Sequence, residues 1–97
     1  MLVDEPRVVL TGATGGLGRE LAERLAARRA SVLLSDIDEG ALGEVAEVVS
    51  RGGGKALTAV CDVAKASEVA ALRERAEKDL GGVDLVINNA GVAVGGQ

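Results

Sequence analysis

Four glycines fall within seven residues of the chain, between an apolar stretch and an amphipathic one. They are Gly12, Gly15, Gly16 and Gly18, in the segment TGATGGLG. A strand that turns sharply into a helix exposes free backbone N–H groups at the helix start, and the positive end of the helix dipole adds to their attraction for an anion. Glycines keep side chains out of the turn, so a diphosphate can come close, and Gly18 would let the helix sit close on the sheet. The spacing therefore predicts a phosphate site at the start of the first helix.

One acid, Asp36, follows this turn at about the 20-residue distance of a dinucleotide fingerprint, at the end of the second predicted strand. A carboxylate there can accept hydrogen bonds from both hydroxyls of an adenosine ribose, and it would repel a 2′-phosphate. The structural alternatives are a glycine-rich turn without a ligand and an acid that only caps a helix or faces solvent. We favour a dinucleotide site, because the strand, turn, helix and acid occur together.

Hydrophobic periodicity predicts seven elements in the order βαβαβαβ. The strands are apolar runs rather than alternations, which is typical of a parallel sheet covered by helices. Leu17, Leu21 and Leu25 recur every fourth residue and mark an amphipathic first helix. Strands are expected at 7–11, 31–36, 55–60 and 83–88, and the two later helices over about 39–50 and 66–80.

The layout of these elements is constrained by the right-handedness of parallel crossovers. The fold class is α/β, a partial Rossmann or doubly wound parallel sheet with strand order 3-2-1-4. Helices one and two then share a face, and helix three covers the other. Residues 1–97 are expected to form one dinucleotide-binding domain. Strand four is left as an open edge, which either pairs with something or is followed by more chain.

Composition excludes several classes of function. The formal charge of −4 comes from 15 acids and 11 bases, with no aromatic residue to stack on a base, which argues against nucleic acid as a partner. No apolar run approaches the roughly 20 residues of a membrane span, and the acids near the N-terminus do not fit a signal peptide, so we expect a cytoplasmic protein. One cysteine and no histidine exclude an internal disulfide and argue against a zinc site; Cys61 is interpreted as a small buried apolar residue.

Taken together, these residues resemble the short-chain dehydrogenase/reductase family, in its single-domain branch. The T-G-x-x-x-G-x-G turn of that family matches residues 11–18, and its acid after strand two matches Asp36. Its D-V pair after strand three matches Asp62 and Val63, and its N-N-A-G after strand four matches residues 88–91. The resemblance spans nearly the whole chain and implies a nicotinamide-dinucleotide site.

The resemblance also implies roles for individual residues. Asp62 would bond to the adenine amino group, with the backbone of Val63 beside it, and Asn89 would line the adenosine-ribose side of the cleft. Asn88 would tie neighbouring strands together, and a purely structural pair of asparagines is the alternative. The implied cofactor-binding set is Gly12, Thr14, Gly15, Gly16, Leu17, Gly18, Asp36, Asp62, Val63, Asn89, Ala90 and Gly91.

The choice between NAD and NADP follows from the same resemblance. Family members that use NADP usually carry a base just before the second motif glycine or just after strand two, where this chain has Gly15 and Ile37. With Asp36 present, we predict NAD. Arg19 could reach a phosphate, so NADP stays open as the alternative. The family often ends helix one with glycine, whereas this chain has Arg28 and Arg29, so Arg29 adopts either an ordinary αR cap or a strained αL conformation.

Catalysis is where the resemblance stops. The family uses a Tyr, a Lys four residues later and a Ser, all well beyond strand four, and this chain contains no tyrosine. No catalytic residue and no metal ligand is predicted. The chain is interpreted as the cofactor-binding half of an NAD-dependent oxidoreductase that acts on an alcohol or carbonyl substrate. The alternatives are a free-standing nucleotide-binding module and, less favoured, an interaction module that has lost its ligand. Self-association through strand four, or a missing C-terminal half, would cover the open edge.

Overall fold

Strands and helices alternate along the chain in the computed structural model, which describes residues 5–89. The predicted βαβαβαβ order is confirmed. The elements are β1 (Arg7–Thr11), α1 (Gly16–Ala27), β2 (Ser31–Asp36), α2 (Glu39–Arg51), β3 (Lys55–Val60), α3 (Ala66–Leu80) and β4 (Leu85–Asn88).

The four strands form one parallel sheet in the order β3-β2-β1-β4, as predicted. Thr11 lies opposite Ser35 on one side and Asn88 on the other. The carboxyl ends of all the strands therefore meet at the same edge of the sheet. In a doubly wound fold this is the edge at which ligands bind.

Two hydrophobic cores lie on the two faces of the sheet, because successive strand side chains point in opposite directions. The first core joins Val8, Leu10, Val32 and Leu34 to buried residues of α1 and α2, and the second joins Val9 and Leu33 to Leu72 and Ala76 of α3. Helices α1 and α2 thus share one face and α3 covers the other, as the crossover rule predicted. Each fully buried Val or Leu stabilises the fold by about 1.5–3 kcal/mol.

The packing of α1 differs from the leucine row expected from periodicity. Its buried residues are Gly18, Ala22 and Ala26, whereas Leu17 is 57% exposed and the two later leucines only border the first core. Small side chains let the helix axis approach the strands closely. The leucines, each one residue before a buried small residue, therefore lie at the edge of the core or outside it.

The fourth strand begins at Leu85 rather than at position 83. Just before it, Asp84 donates its N–H to the carbonyl oxygen of Arg7 at 2.8 Å. The Asp84 carboxylate accepts from the backbone N–H of Arg7 at 2.8 Å, and from Nε and Nη2 of its guanidinium at 3.1 Å each. These contacts set the register of β4 against β1. Among the described residues, no strand pairs with the other edge of β4, where Val86 is 60% exposed.

Helix ends follow local sequence signals. Asp38 caps α2 by accepting the N–H of Ala41 at 3.1 Å, and Gly81 ends α3 with φ of 77°. Arg29 takes the strained αL alternative, with φ of 60°. The N–H groups of Arg29 and Ala30 bond to the carbonyls of Ala26 and Leu25, at 2.8 and 3.1 Å, which is the Schellman arrangement that glycine usually completes.

Candidate functional site

The backbone of the turn between β1 and α1 itself requires glycine at two positions, Gly12 and Gly18. Gly12 has φ of 65°, a conformation that glycine adopts without strain. A Cβ on Gly18 would overlap the carbonyl oxygen of Gly12 and would lie 2.9 Å from the backbone of Ala13. The close approach at Gly18 is therefore made against the turn itself, whereas the sequence predicted a close approach to the sheet.

Gly15 and Gly16 have no such internal reason. A Cβ on Gly15 would meet only the Gly12 carbonyl oxygen, at 4.0 Å, and a Cβ on Gly16 would meet nothing within 4 Å. Both residues are exposed at the start of α1. These two glycines leave a cradle in front of the helix start that side chains would otherwise fill.

The start of α1 also lacks a protein partner of the kind found at the other helices. No side chain caps it, and no acid lies in its first turn. By contrast, Asp38 caps α2 and Glu68 lies in the first turn of α3. The first N–H groups of a helix have no intrahelical acceptor, and the helix dipole makes this end positive. The start of α1 is therefore suited to an anion.

Asp36 lies across from this turn at the end of β2. Its Oδ2 accepts from the N–H of Thr14 at 3.1 Å and from the Thr14 hydroxyl at 2.7 Å, and its Oδ1 accepts from the N–H of Ile37 at 2.7 Å. Partial burial alone would raise the pKa of Asp36, but the hydrogen bonds from Thr14, Ile37 and Asp38 outweigh it and hold the pKa below its ordinary value. The carboxylate is therefore ionised at neutral pH.

A cavity of about 280 Å³ opens between the ends of β1, β2 and β3. It brings together four of the predicted site residues, Gly12, Asp36, Asp62 and Val63, and it is also lined by two others, Ile37 and Cys61. The sequence analysis considered Ile37 only as a position without a base, and its place directly after β2 was the signal that could have identified it. Cys61, which precedes Asp62 near the predicted cleft, was interpreted as a buried apolar residue, and it is buried at 4% exposure.

The loop after β3 is held by a residue that sequence reasoning missed. The backbone N–H of Asp62 donates to Oε1 of Glu68 at 2.8 Å, and Oδ1 of Asp62 accepts from the N–H of Ala64 at 2.9 Å. Glu68 thus reaches back from the first turn of α3, much as the glutamate of a capping box does. The available signal was an acid in the first turn of the helix that follows Asp62.

The two asparagines after Ile87 join this edge of the sheet to the glycine turn. Oδ1 of Asn88 lies 2.9 Å from the hydroxyl of Thr11 on β1. Nδ2 of Asn89 donates to the carbonyl oxygen of Gly12 at 3.1 Å. Asn89 therefore supports the backbone of the turn from the β4 side. Ala90 and Gly91, the remaining predicted site residues, lie outside the described residues.

Arg19, the base that kept NADP open, lies in the first turn of α1. Its guanidinium lies 3.5 Å from a carboxylate oxygen of Glu44 on α2, and the two side chains are 46% and 72% exposed. Arg19 therefore forms an ion pair with the neighbouring helix.

None of the described helices is both long and apolar enough to cross a membrane.

Comparisons with known proteins agree with this geometry. The family model of the short chain dehydrogenases matches residues 6–97. The chain is 38% identical over 89 residues to the 7alpha-hydroxysteroid dehydrogenase of Escherichia coli K12, covering 92% of this chain and 35% of that protein. The chain thus spans about a third of the length of that relative.

Solved structures give the same result. A hydroxysteroid dehydrogenase from Escherichia coli superposes with a TM-score of 0.80 at 35% identity, over 88% of this chain and 37% of the other. An NADH-dependent reductase, A1-R′, complexed with NAD, also gives 0.80, at 27% identity over 88% of this chain and 36% of the other. The sheet order, the glycine turn and the matched family model lead to one conclusion: the chain belongs to the short-chain dehydrogenase family.

Proposed function

We propose that this chain is the NAD-binding part of a short-chain dehydrogenase that transfers hydride between nicotinamide and an alcohol or carbonyl substrate. The observation that carries the proposal is the start of α1, which has no capping side chain and no acid in its first turn. Gly15 and Gly16 leave space in front of it. A diphosphate supplies the negative charge and the acceptor oxygens that such a helix start lacks.

The rest of the dinucleotide would lie against the residues around the cavity. Asp36 would accept hydrogen bonds from the adenosine ribose, and Asp62 and Val63 would hold the adenine, with Ile37 covering its face. Asn89, Ala90 and Gly91 would line the side towards β4, and Leu17 and Gly18 would present backbone N–H groups beside the diphosphate. The bound nicotinamide would supply the hydride donor or acceptor of the reaction.

NAD rather than NADP is the cofactor that this arrangement favours. The Asp36 carboxylate would repel a 2′-phosphate, and the lowered pKa keeps it charged at neutral pH. Arg19, the base considered for a 2′-phosphate, forms an ion pair with Glu44. A structural neighbour at 27% identity is an NADH-dependent reductase complexed with NAD, which agrees with the choice.

The substrate half of the reaction belongs to a longer protein in this proposal. The relative from Escherichia coli is about three times as long as the matched region, and the chain contains no tyrosine for the family's acid–base step. A C-terminal half, or a second copy, would cover the exposed edge of β4. We place the protein in the cytoplasm. A free-standing nucleotide-binding module is the alternative.

The experiment that tests the site compares two glycine-to-alanine changes by calorimetric titration with NAD and NADP. Gly16→Ala adds a methyl group to the cradle, whereas Gly43→Ala adds one to an exposed position of α2, and neither meets an atom within 4 Å. We expect Gly16→Ala to weaken NAD binding about tenfold, an effect of about 1.4 kcal/mol, because the methyl group blocks the diphosphate.

The control variant Gly43→Ala should bind NAD like the unaltered chain, and the unaltered chain should bind NAD more tightly than NADP. Equal affinities of the two variants for NAD would place the diphosphate elsewhere. No saturable binding of NAD by the unaltered chain would contradict the proposed function, and tighter binding of NADP would contradict the choice of cofactor.

A further inference from the structure

One threonine connects the glycine turn to the end of β2. Thr14 donates two hydrogen bonds to the same atom, Oδ2 of Asp36, from its backbone N–H at 3.1 Å and from its hydroxyl at 2.7 Å. The two residues are 22 positions apart in the chain, so these bonds fix one side of the cavity against the other. Asp36 itself lines the cavity, together with Gly12 and Asp62.

We propose that Thr14 is a positioning residue for cofactor selectivity, whose hydroxyl holds the Asp36 carboxylate where it can distinguish an unmodified ribose from a ribose 2′-phosphate. This inference rests on the proposed function, because it gives selectivity to a site that has to bind a dinucleotide. Thr14 acts through Asp36 in this role.

The strength of the contact supports the role. A hydroxyl that donates to a carboxylate at 2.7 Å makes a short, charge-assisted hydrogen bond, which is stronger than a bond between neutral groups. Oδ1 is held from the other side by the N–H of Ile37 at 2.7 Å. Both oxygens of the carboxylate are thus fixed by groups of the chain, and the side-chain rotamer is set before any ligand binds.

Selectivity depends on this fixed position because repulsion between two negative charges falls with their separation. Asp36 is only half buried, and Ile37, the next residue, is exposed. A carboxylate that lost the hydroxyl bond could rotate towards solvent and away from an incoming 2′-phosphate. NADP would then be excluded less well, while the binding of the diphosphate at the start of α1 would be retained.

The test uses Thr14→Val, which removes the hydroxyl at nearly constant volume, and Thr14→Ser, which keeps the hydroxyl. Thr14→Ala is a second variant without the hydroxyl, in case the valine does not fit the turn. In the chain without cofactor, the carboxyl carbon of Asp36 is titrated by NMR. We expect the pKa of Asp36 to rise in the two variants without a hydroxyl and to stay near the unaltered value in Thr14→Ser.

Dissociation constants of NAD and NADP are then measured for the same proteins. We expect the preference for NAD to fall about three- to tenfold without the hydroxyl and to be restored in Thr14→Ser. An unchanged pKa of Asp36 in Thr14→Val and Thr14→Ala would overturn the positioning role. A raised pKa with an unchanged ratio of dissociation constants would overturn the role in selectivity.

The NMR titration and the binding measurements together separate this inference from the proposed function. The NMR titration needs no cofactor, so it decides whether Thr14 holds Asp36 even if NAD does not bind. Lack of NAD binding by the unaltered chain would overturn the proposed function and the selectivity role together. Normal NAD binding with no effect of Thr14 would overturn the selectivity role alone.

Discussion

One residue, Arg29, lies at a helix end where glycine is the usual residue. Arg29 occupies the left-handed position that ends α1, with φ of 60° and an exposed side chain. An L-residue there brings its Cβ close to the following carbonyl, at a cost of about 1–2 kcal/mol. The backbone bonds of the Schellman arrangement are nevertheless complete, so the helix ends where a glycine would end it, with strain in one residue.

Arg29→Gly is therefore expected to stabilise the chain by about 1 kcal/mol, because glycine adopts this conformation without a Cβ clash, less the entropy that glycine loses on folding. The neighbouring Arg28, with φ of −97°, is the matched control. Arg28→Gly should destabilise by up to about 1 kcal/mol. Urea denaturation of both variants measures the difference, and a lower midpoint for Arg29→Gly would show that its side chain outweighs the backbone strain.

At the residue scale, local sequence rules identify positions but not partners. The spacing of glycines and acids located the turn and Asp36, because both depend on neighbours close in the chain. The contact between Thr14 and Asp36, and the one between Asn89 and Gly12, join residues far apart in sequence. Their geometry depends on how closely β1, β2 and β4 approach one another, which no local pattern contains.

Elements of the fold were predictable to different degrees. Periodicity and capping signals located β1, β2, β3 and α3 at the observed bounds, because each has an apolar core stretch between polar or glycine-rich ends. The buried face of α1 was not predictable from its leucines. Alanine and glycine carry little hydrophobic signal, although close packing favours them, and the distance between helix and sheet is a property of the assembled layers.

The start of α3 depends on Glu68, which accepts the N–H of Asp62 at 2.8 Å and lies 3.8 Å from the ammonium of Lys65. We expect Glu68→Ala to destabilise the chain by about 1 kcal/mol, because a partly buried donor loses its acceptor. Glu68→Gln keeps an oxygen acceptor and should restore most of the loss. Glu74→Ala, at an exposed position of the same helix, is the control for helix propensity and charge.

Amide hydrogen exchange gives a local measurement of the same contact. The amide of Asp62 should exchange faster in Glu68→Ala than in Glu74→Ala, because exchange reports local opening. If exchange at Asp62 were equal in the two variants, Glu68 would not hold this loop, whatever its effect on overall stability.

At the scale of the whole fold, residues 5–89 form a four-stranded sheet, and its strand order could be predicted because right-handed crossovers leave few arrangements. The polar contacts that fix the last strand, β4, against β1 could not be predicted. Arg7 and Asp84 lie 77 residues apart, and their contacts come directly before β4, which begins at Leu85 rather than at the predicted position 83. A long-range polar pair of this kind becomes visible only when the edge strands are placed.

The same pair makes the stability of the whole sheet depend on pH. Hydrogen bonds from the guanidinium and the backbone N–H of Arg7 hold the pKa of Asp84 below its ordinary value. Burial opposes them, and the charge of Arg7 adds to them. A carboxyl group whose pKa is lower in the folded state stabilises that state above its unfolded pKa, about 3.9. This stabilisation is lost as the pH falls through the lower, folded pKa.

We therefore expect Asp84→Asn to unfold at a lower urea concentration than the unaltered chain at pH 7. The difference should shrink as the pH is lowered below about 4, because the unaltered chain then loses its charge as well. Asp79→Asn, which breaks an i,i+4 pair with Arg75 on α3, is the matched control, with an expected loss of about 0.3–0.5 kcal/mol at pH 7. Equal midpoints of Asp84→Asn and the unaltered chain at pH 7, or a difference that stays constant down to pH 3, would mean that β4 is held by its backbone ladder and apolar contacts alone.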